Sequence, residues 1–217
     1  MSQWHPQTEQ LVEFAAGTCH TGISVAISVH LHYCPECRKR LSELESASAV
    51  LFEHQKPIAV SDNLFASVLS EIQQGKVTES VKPAAPARAT SRYPKALSSL
   101  IPGTLEELEW RSPMKNLKVT HLMTDESGLI VGLHHMKAGG RVPNHQHRGD
   151  EISVVLEGGF SDELGTYGPG DFIFRTEEDV HSPQADAHED CLMLSVVSAP
   201  VKLTGALGWL INPFLKA

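Results

Sequence analysis

Apolar residues follow two different rhythms along the chain. Over roughly the first 75 residues they recur at helical spacing. His5-Pro6 predicts a helix start, since Pro fits the first helical position. Leu11, Phe14 and Ala15 mark one face of that helix, and Gly17 can stop it. Cys34-Pro35 predicts a second start, followed by Leu41, Leu44, Ala47 and Leu51, with Pro57 ending the stretch. Ser61 or Asp62 can cap a further helix carrying Leu64, Phe65, Val68, Leu69 and Ile72, stopped by Gly75. The apolar faces of these helices must be covered by one another or by a partner. Residues 76–95 lose the periodicity and turn Pro/Ala-rich around Lys82-Pro-Ala-Ala-Pro-Ala-Arg88, the pattern of an extended linker. From about residue 97 the rhythm becomes that of short strands, at 119–123, 129–136, 152–156, 172–174 and 191–197. Gly, Pro and Asp clusters separate them, which indicates a sandwich or barrel.

Charge sharpens this division. Residues 1–80 carry 5 Lys/Arg against 9 Asp/Glu, net −4. Residues 81–95 carry 4 basic residues and no acid, and residues 96–217 carry 9 against 17, net −8. Neither large segment offers the clustered positive charge that nucleic acid requires. A protein partner with a basic face fits better, with a simply solvated acidic surface as the equal alternative. The longest apolar run, residues 22–29, is far short of the roughly 20 residues that span a bilayer. The polar start, residues 1–10, lacks the pattern of a secretory signal. A cytoplasmic protein without membrane contact is expected. Four cysteines at uneven spacing do not form a disulfide framework, and in the cytoplasm a CxxC points to metal or redox chemistry.

Two clusters carry the candidate chemistry. In His145-Gln-His147-Arg-Gly-Asp-Glu151 the two histidines, at i and i+2, share one side of a strand, and Glu151 follows across a short bend. His181, after the Gly-Pro-Gly-Asp171 turn, can complete a set of three imidazoles and a carboxylate. Such donors suit Zn, Fe, Mn, Ni or Cu. His121, His134, His135 and His188 fall outside the pattern and are expected to be solvated or hydrogen-bonded. Upstream lies His30-x3-Cys34-Pro-Glu-Cys37. Two thiolates at CxxC spacing in a helix's first turn, with an imidazole one turn earlier, suit zinc. A closed site needs a fourth donor from among His5, Cys19, His20, His32 and His54, of which His5 is favoured, at the mouth of the first helix.

These motifs resemble known families. Gly139-x5-His145-x-His147-x3-Glu151-x6-Gly158 resembles the first cupin motif at every defining position. Gly165-x3-Pro169-Gly170-Asp171 with His181 resembles the second, although the family's usual Asn after the histidine is replaced by Ser182-Pro183-Gln184. HxxxCxxC at a helix start resembles the zinc-binding anti-sigma signature, in which a histidine near the N-terminus, here His5, is the fourth ligand. Together they resemble the ChrR family of anti-sigma factors. That resemblance implies a small all-α zinc-binding domain over residues 1–78, a basic linker over 79–96, and an all-β cupin barrel, a double-stranded β-helix, over 97–217 with a C-terminal tail. It implies Zn2+ held by His5, His30, Cys34 and Cys37. It also implies a divalent metal, zinc first with Fe, Mn or Ni open, on His145, His147, Glu151 and His181. The implied function is to hold an ECF-type sigma factor inactive and to release it on singlet oxygen or related oxidants sensed with the cupin domain, with no catalysis. Cys191 resembles a cysteine that relatives carry near the cupin metal; a buried apolar Cys is the simpler expectation. A metal-dependent cupin enzyme of the dioxygenase or isomerase class is the alternative. Direct thiol sensing through a Cys34–Cys37 disulfide is the third.

Overall fold

The structure is a computed structural model that describes residues 2–74, 92–198 and 202–203. The helical segment contains α1 (Thr8–Ala16), α2 (Thr21–Tyr33), α3 (Pro35–Glu53) and α4 (Leu64–Gln73), and a short α5 (Lys95–Ser98) precedes the strands. The first helix starts later than His5-Pro6 predicts. Residues ahead of it are held extended, because Gln3 N and Trp4 N donate to Asp171 Oδ1 and Phe172 N donates to Trp4 O. Gly17 ends α1 as expected, and Pro35 occupies the first turn of α3. Asn63, not Ser61 or Asp62, precedes α4, since the chain from Ser61 turns once before the helix begins. Gly75 and residues 79–91 of the expected linker lie outside the described residues. Residues 92–96 are packed: Pro94 is buried and caps α5, and Arg92 Nε pairs with Glu157 at 2.9 Å.

The strands are β1 (Arg111–Met114), β2 (Leu117–Thr124), β3 (Ile130–Met136), β4 (His145–Gln146), β5 (Glu151–Glu157), β6 (Phe160–Asp162), β7 (Gly165–Tyr167), β8 (Phe172–Arg175), β9 (Val180–His181), β10 (Gln184–Ala185), β11 (Cys191–Val197) and β12 (Lys202–Leu203). All five predicted runs are strands. A six-stranded antiparallel sheet has the order β1-β2-β3-β11-β5-β8; β10-β6-β7 and β12-β4-β9 form two three-stranded sheets.

The centre of the large sheet is buried on both faces, so β5 and β11 are buried along almost their whole length, while β1 and β2 at one side are more exposed. Side-chain alternation sorts its residues. Val131, Leu133, Ile152, Val154, Leu194 and Val196 share one core with Leu11, Ala26, Ile27 and Val29 of α1 and α2. Met136, Val155, Ile173, Cys191 and Met193 face the opposite side with Phe160 and Tyr167. The helical and β segments therefore share a core, and α2 lies on the sheet. No single helix among the described residues is long and apolar enough to cross a membrane.

The start of α2 is fixed electrostatically. Its own N-cap, His20, makes no side-chain cap bond. Asp125 and Glu126, from the β2–β3 turn, do so instead: Gly22 N donates to Asp125 Oδ2 at 2.9 Å and Thr21 N to Glu126 Oε1 at 3.4 Å. Two carboxylates thus meet the positive end of the helix. A Cβ on Gly22 would lie 3.2 Å from Asp125 Oδ2, Val131 Cγ2 and Val196 Cγ1, so the helix approaches the sheet as closely as glycine allows.

Burial pushes the Asp125 carboxyl up, but hydrogen bonds from Ser127, Gly22 and Leu129 outweigh it and hold the pKa down to about 2, against an ordinary 3.8. A depressed folded-state pKa contributes stability above the unfolded value and loses it as pH falls toward the folded one. Asp125→Ala should therefore cost about 1–3 kcal/mol at neutral pH by leaving buried donors unpaired. In denaturant melts its deficit should shrink as pH drops from about 4 to about 2. Ile27→Ala, at a fully buried position of the same joint, should cost about 2–5 kcal/mol at every pH.

Candidate metal centres

The first cluster forms where three segments meet. Cys34 caps α3 and Cys37 sits one turn into it, with Cys37 N donating to Cys34 Sγ at 3.4 Å. His30 is in the last turn of α2, and His5 in the extended segment before α1. One donor atom from each of His5, His30, Cys34 and Cys37 lies within 4.8 Å of every other. His5 Nδ1 is 3.5 Å from Cys34 Sγ and 3.4 Å from Cys37 Sγ. Cys19, His20, His32 and His54 do not join the set among the described residues.

The donor chemistry fits a metal ion. His30 Nδ1 is bonded to Gly170 O at 2.6 Å, which fixes the ring, and its buried Nε2 has no hydrogen-bond partner. Burial lowers the His30 pKa to about 4, keeping the imidazole neutral as a ligand must be. Burial, then the Cys34 sulfur, push the Cys37 thiol up to about 12. A thiol so placed becomes a thiolate only against a cation, and two thiolates with two imidazoles suit zinc.

The second cluster lies on the other side of the large sheet. β4 pairs with β9 so that His145 stands opposite His181, and His147 follows just beyond β4. The expected strand is thus only two residues long, yet the three imidazoles converge, with donor atoms within 4.8 Å of one another. Glu151, first residue of β5, stands outside that mutual set, although its Oε2 lies 2.8 Å from His147 Nε2. His145 Nδ1 is bonded to Pro143 O at 3.0 Å and His181 Nδ1 to Asp162 Oδ2 at 2.9 Å, so both Nε2 atoms turn toward the centre. Burial first, then His181, lowers His145 to about 4. Burial works to raise Glu151, but His147 beside it overrides this and holds the carboxylate at about 2.

Two residues outside the motifs belong to this centre. His134 was expected to be solvated or hydrogen-bonded; instead it lines a cavity of about 250 Å³ beside the histidines, and burial lowers its pKa. The period-2 phase of β3 was the available signal, since it puts His134 on the side of Met136. Asp162 fixes His181, accepts from Tyr167 and pairs with Arg175; these contacts outweigh burial and hold it at about 2. No local spacing connects it to His181. Cys191 is fully buried among Met136, Val155 and Met193, and burial raises its thiol to about 12.

A continuous set of contacts joins the two centres. From His181 it runs through Asp162 to the Tyr167 hydroxyl, 3.0 Å from Asp162 Oδ1. The Tyr167 ring lies 5.3 Å from the Trp4 ring, and Trp4 adjoins His5 in the chain. The first centre is also anchored on the β segment at Gly170, which bonds His30 and has φ +90; a Cβ there would approach Tyr33 Cβ to 2.5 Å.

Asp162→Asn should weaken metal binding at the three-histidine centre about 10–100-fold, as loss of such an orienting carboxylate does. Competition with a chromophoric chelator measures it, and the affinity of the Cys34–Cys37 centre, read in the same titration, should change less.

Residues 101–201 match the family model of the ChrR cupin-like domain. Over 212 residues, 98% of this chain and 97% of the other, the sequence is 32% identical to the anti-sigma-E factor ChrR of Cereibacter sphaeroides. The crystal structure of Rhodobacter sphaeroides SigE in complex with the anti-sigma ChrR contains a chain that matches with a TM-score of 0.77 and 29% identity, over 91% of this chain and 99% of that one. The likeness spans both centres and the helices between them, and the chain belongs to the ChrR family of anti-sigma factors.

Proposed function

We propose that this protein binds an ECF-type sigma factor through its helical segment, keeps it inactive, and releases it when oxidants such as singlet oxygen act on the cupin-like segment. The carrying observation is the uncovered apolar surface at the end of the helical segment. α4 has no buried residue, and Phe52, Phe65 and Ile72 are 79%, 77% and 62% exposed. A surface of this kind marks a protein interface. The relative of known structure is in complex with SigE, which supports a sigma factor as the occupant here. The net −4 of residues 1–80 suits a partner with a basic face. Residues 1–78 would hold the partner, residues 97–217 would sense, and residues 79–96 would connect them. A cytoplasmic location follows from such a partner, and no direct contact with nucleic acid is required.

In this reading His5, His30, Cys34 and Cys37 hold Zn2+, which ties α1, α2 and α3 together; binding energy at such a site is folding energy. His145, His147, Glu151 and His181 hold a divalent ion, zinc first, with Fe, Mn or Ni compatible with the donors. Imidazoles around that ion are oxidisable, and a change in the orientation of His181 has the route through Asp162, Tyr167 and Trp4 to His5. The buried Cys34 and Cys37 sulfurs weigh against direct thiol attack as the trigger. The cavity beside His147 favours one further reading, a metal-dependent enzyme. Among the described residues its wall supplies only His134 and Ser153 as polar groups beyond the proposed ligands.

Phe65→Asp and Leu69→Asp test the main reading. Both positions are exposed, so thermal stability should change by less than about 0.5 kcal/mol. Co-purification with a co-expressed ECF sigma factor should weaken about 30-fold or more, as at an interface hot spot. A wild-type chain that captures no ECF sigma factor from its own genome would sink the proposal. Exposure of the complex to singlet oxygen should free the sigma factor from wild type but not from His145→Ala/His147→Ala.

A further inference from the structure

The cavity at the three-histidine centre has an uneven chemistry. One end holds His134, His145, His147, Glu151, Ser153 and His181. The rest of the wall is apolar, including Met114, Leu117, Val119, Met136, Val142 and Met193. Among the described residues no Lys, Arg, Asn or Gln lines it. A polyol or a polyacid would leave its other polar groups unpaired against this wall, which disfavours its binding. A molecule with one polar end fits. Its volume of about 250 Å³ sets the size: an apolar cavity of roughly 150 Å³ admits benzene, so this one takes about ten non-hydrogen atoms.

Charge sets the head group. Three neutral imidazoles and one carboxylate around a divalent ion leave a net charge of about +1. A single monoanionic oxygen head neutralises it, whereas a neutral alcohol does not. Without the ion, Glu151 would repel the same head. We infer that this cavity is a binding site for a small monocarboxylate with an unbranched or aryl apolar body, its carboxylate at the metal and its tail among Met114, Met136 and Met193. The inference rests on the proposed metal centre formed by His145, His147, Glu151 and His181. It adds a ligand to the sensing half, one whose occupancy would govern access of oxidants to the ion.

The test is calorimetry on the full-length, zinc-loaded protein with butanoate, hexanoate, octanoate and decanoate, alongside hexanol and gluconate. At about 0.8 kcal/mol per buried methylene, affinity should rise about fourfold per CH2 up to octanoate, which has about ten non-hydrogen atoms. Decanoate should gain nothing further, and hexanol and gluconate should bind far more weakly than hexanoate. Met114→Trp, which narrows the cavity from the edge strand, should lose octanoate and keep butanoate. The chain-length series on the unsubstituted protein stands if that variant does not fold. His147→Ala, matched for secondary structure, should abolish hexanoate binding. Zinc content is measured on the same samples. If wild type and His147→Ala hold the same zinc, the metal reading fails. If wild type holds the additional zinc but hexanoate does not bind, or affinity ignores chain length, only the ligand proposal falls.

Discussion

Thr21–Tyr33 is apolar around most of its circumference, so covering one face of it is not enough. The large sheet covers one side, with Val131, Ile152, Val154 and Val196 in the shared core, while α1, α3 and α5 border the other. Much else follows from this helix lying where it does. Asp125 and Glu126 can cap it only because its first turn reaches the β2–β3 turn. Its last turn brings His30 to Gly170 and delivers the chain to Cys34. The N-terminal metal cluster is therefore built on the sheet's edge and is not an independent knot of helices.

That placement gives the proposed oxidant sensing a physical route. For one site to change the affinity of another it must favour one of two arrangements, and coupling of about 1–3 kcal/mol changes affinity 5–150-fold. The Trp4–Tyr167 pair is worth about 0.5–1.5 kcal/mol beyond its burial. The Asp171 bonds to Gln3 and Trp4 add to the same joint. Loss of that joint would free the segment carrying His5, one of four donors at the first cluster. A disturbance of His181 thus needs to break only contacts already on its path, without unfolding the core.

What the sequence made legible is local. Cys34 and Cys37 are one helical turn apart, His145 and His147 are i and i+2, and such spacings constrain geometry before any fold is known. The five predicted strands were clear because Gly and Pro punctuate them. Asp162 and His134 were not, because their roles depend on register: β4–β9 pairing brings His181 to His145, and the phase of β3 turns His134 inward. The run at residues 22–29 was visible as apolar. Its lack of amphipathic rhythm was the overlooked sign of a helix buried on several sides. α1 starts later than His5-Pro6 predicts because Gln3 and Trp4 belong to the β segment's hydrogen bonding, a long-range contact with no local signature.

The contrast between α2 and α4 carries the last step. Both are apolar for their length, and among the described residues only α2 has a cover. α4 lies after α3 and apart from the shared core, with Leu64, Phe65, Val68, Leu69 and Ile72 all exposed. Hydrophobic surface of that extent is costly in water unless something else occupies it. The β segment is fixed to α2 while the exposed apolar surface belongs to α4, so under the proposed function a signal from the cupin-like segment would pass along the helical segment to alter what α4 holds. The Cys34–Cys37 cluster stands on that route, at the junction of α2 and α3, where the proposed metal would tie the two helices together.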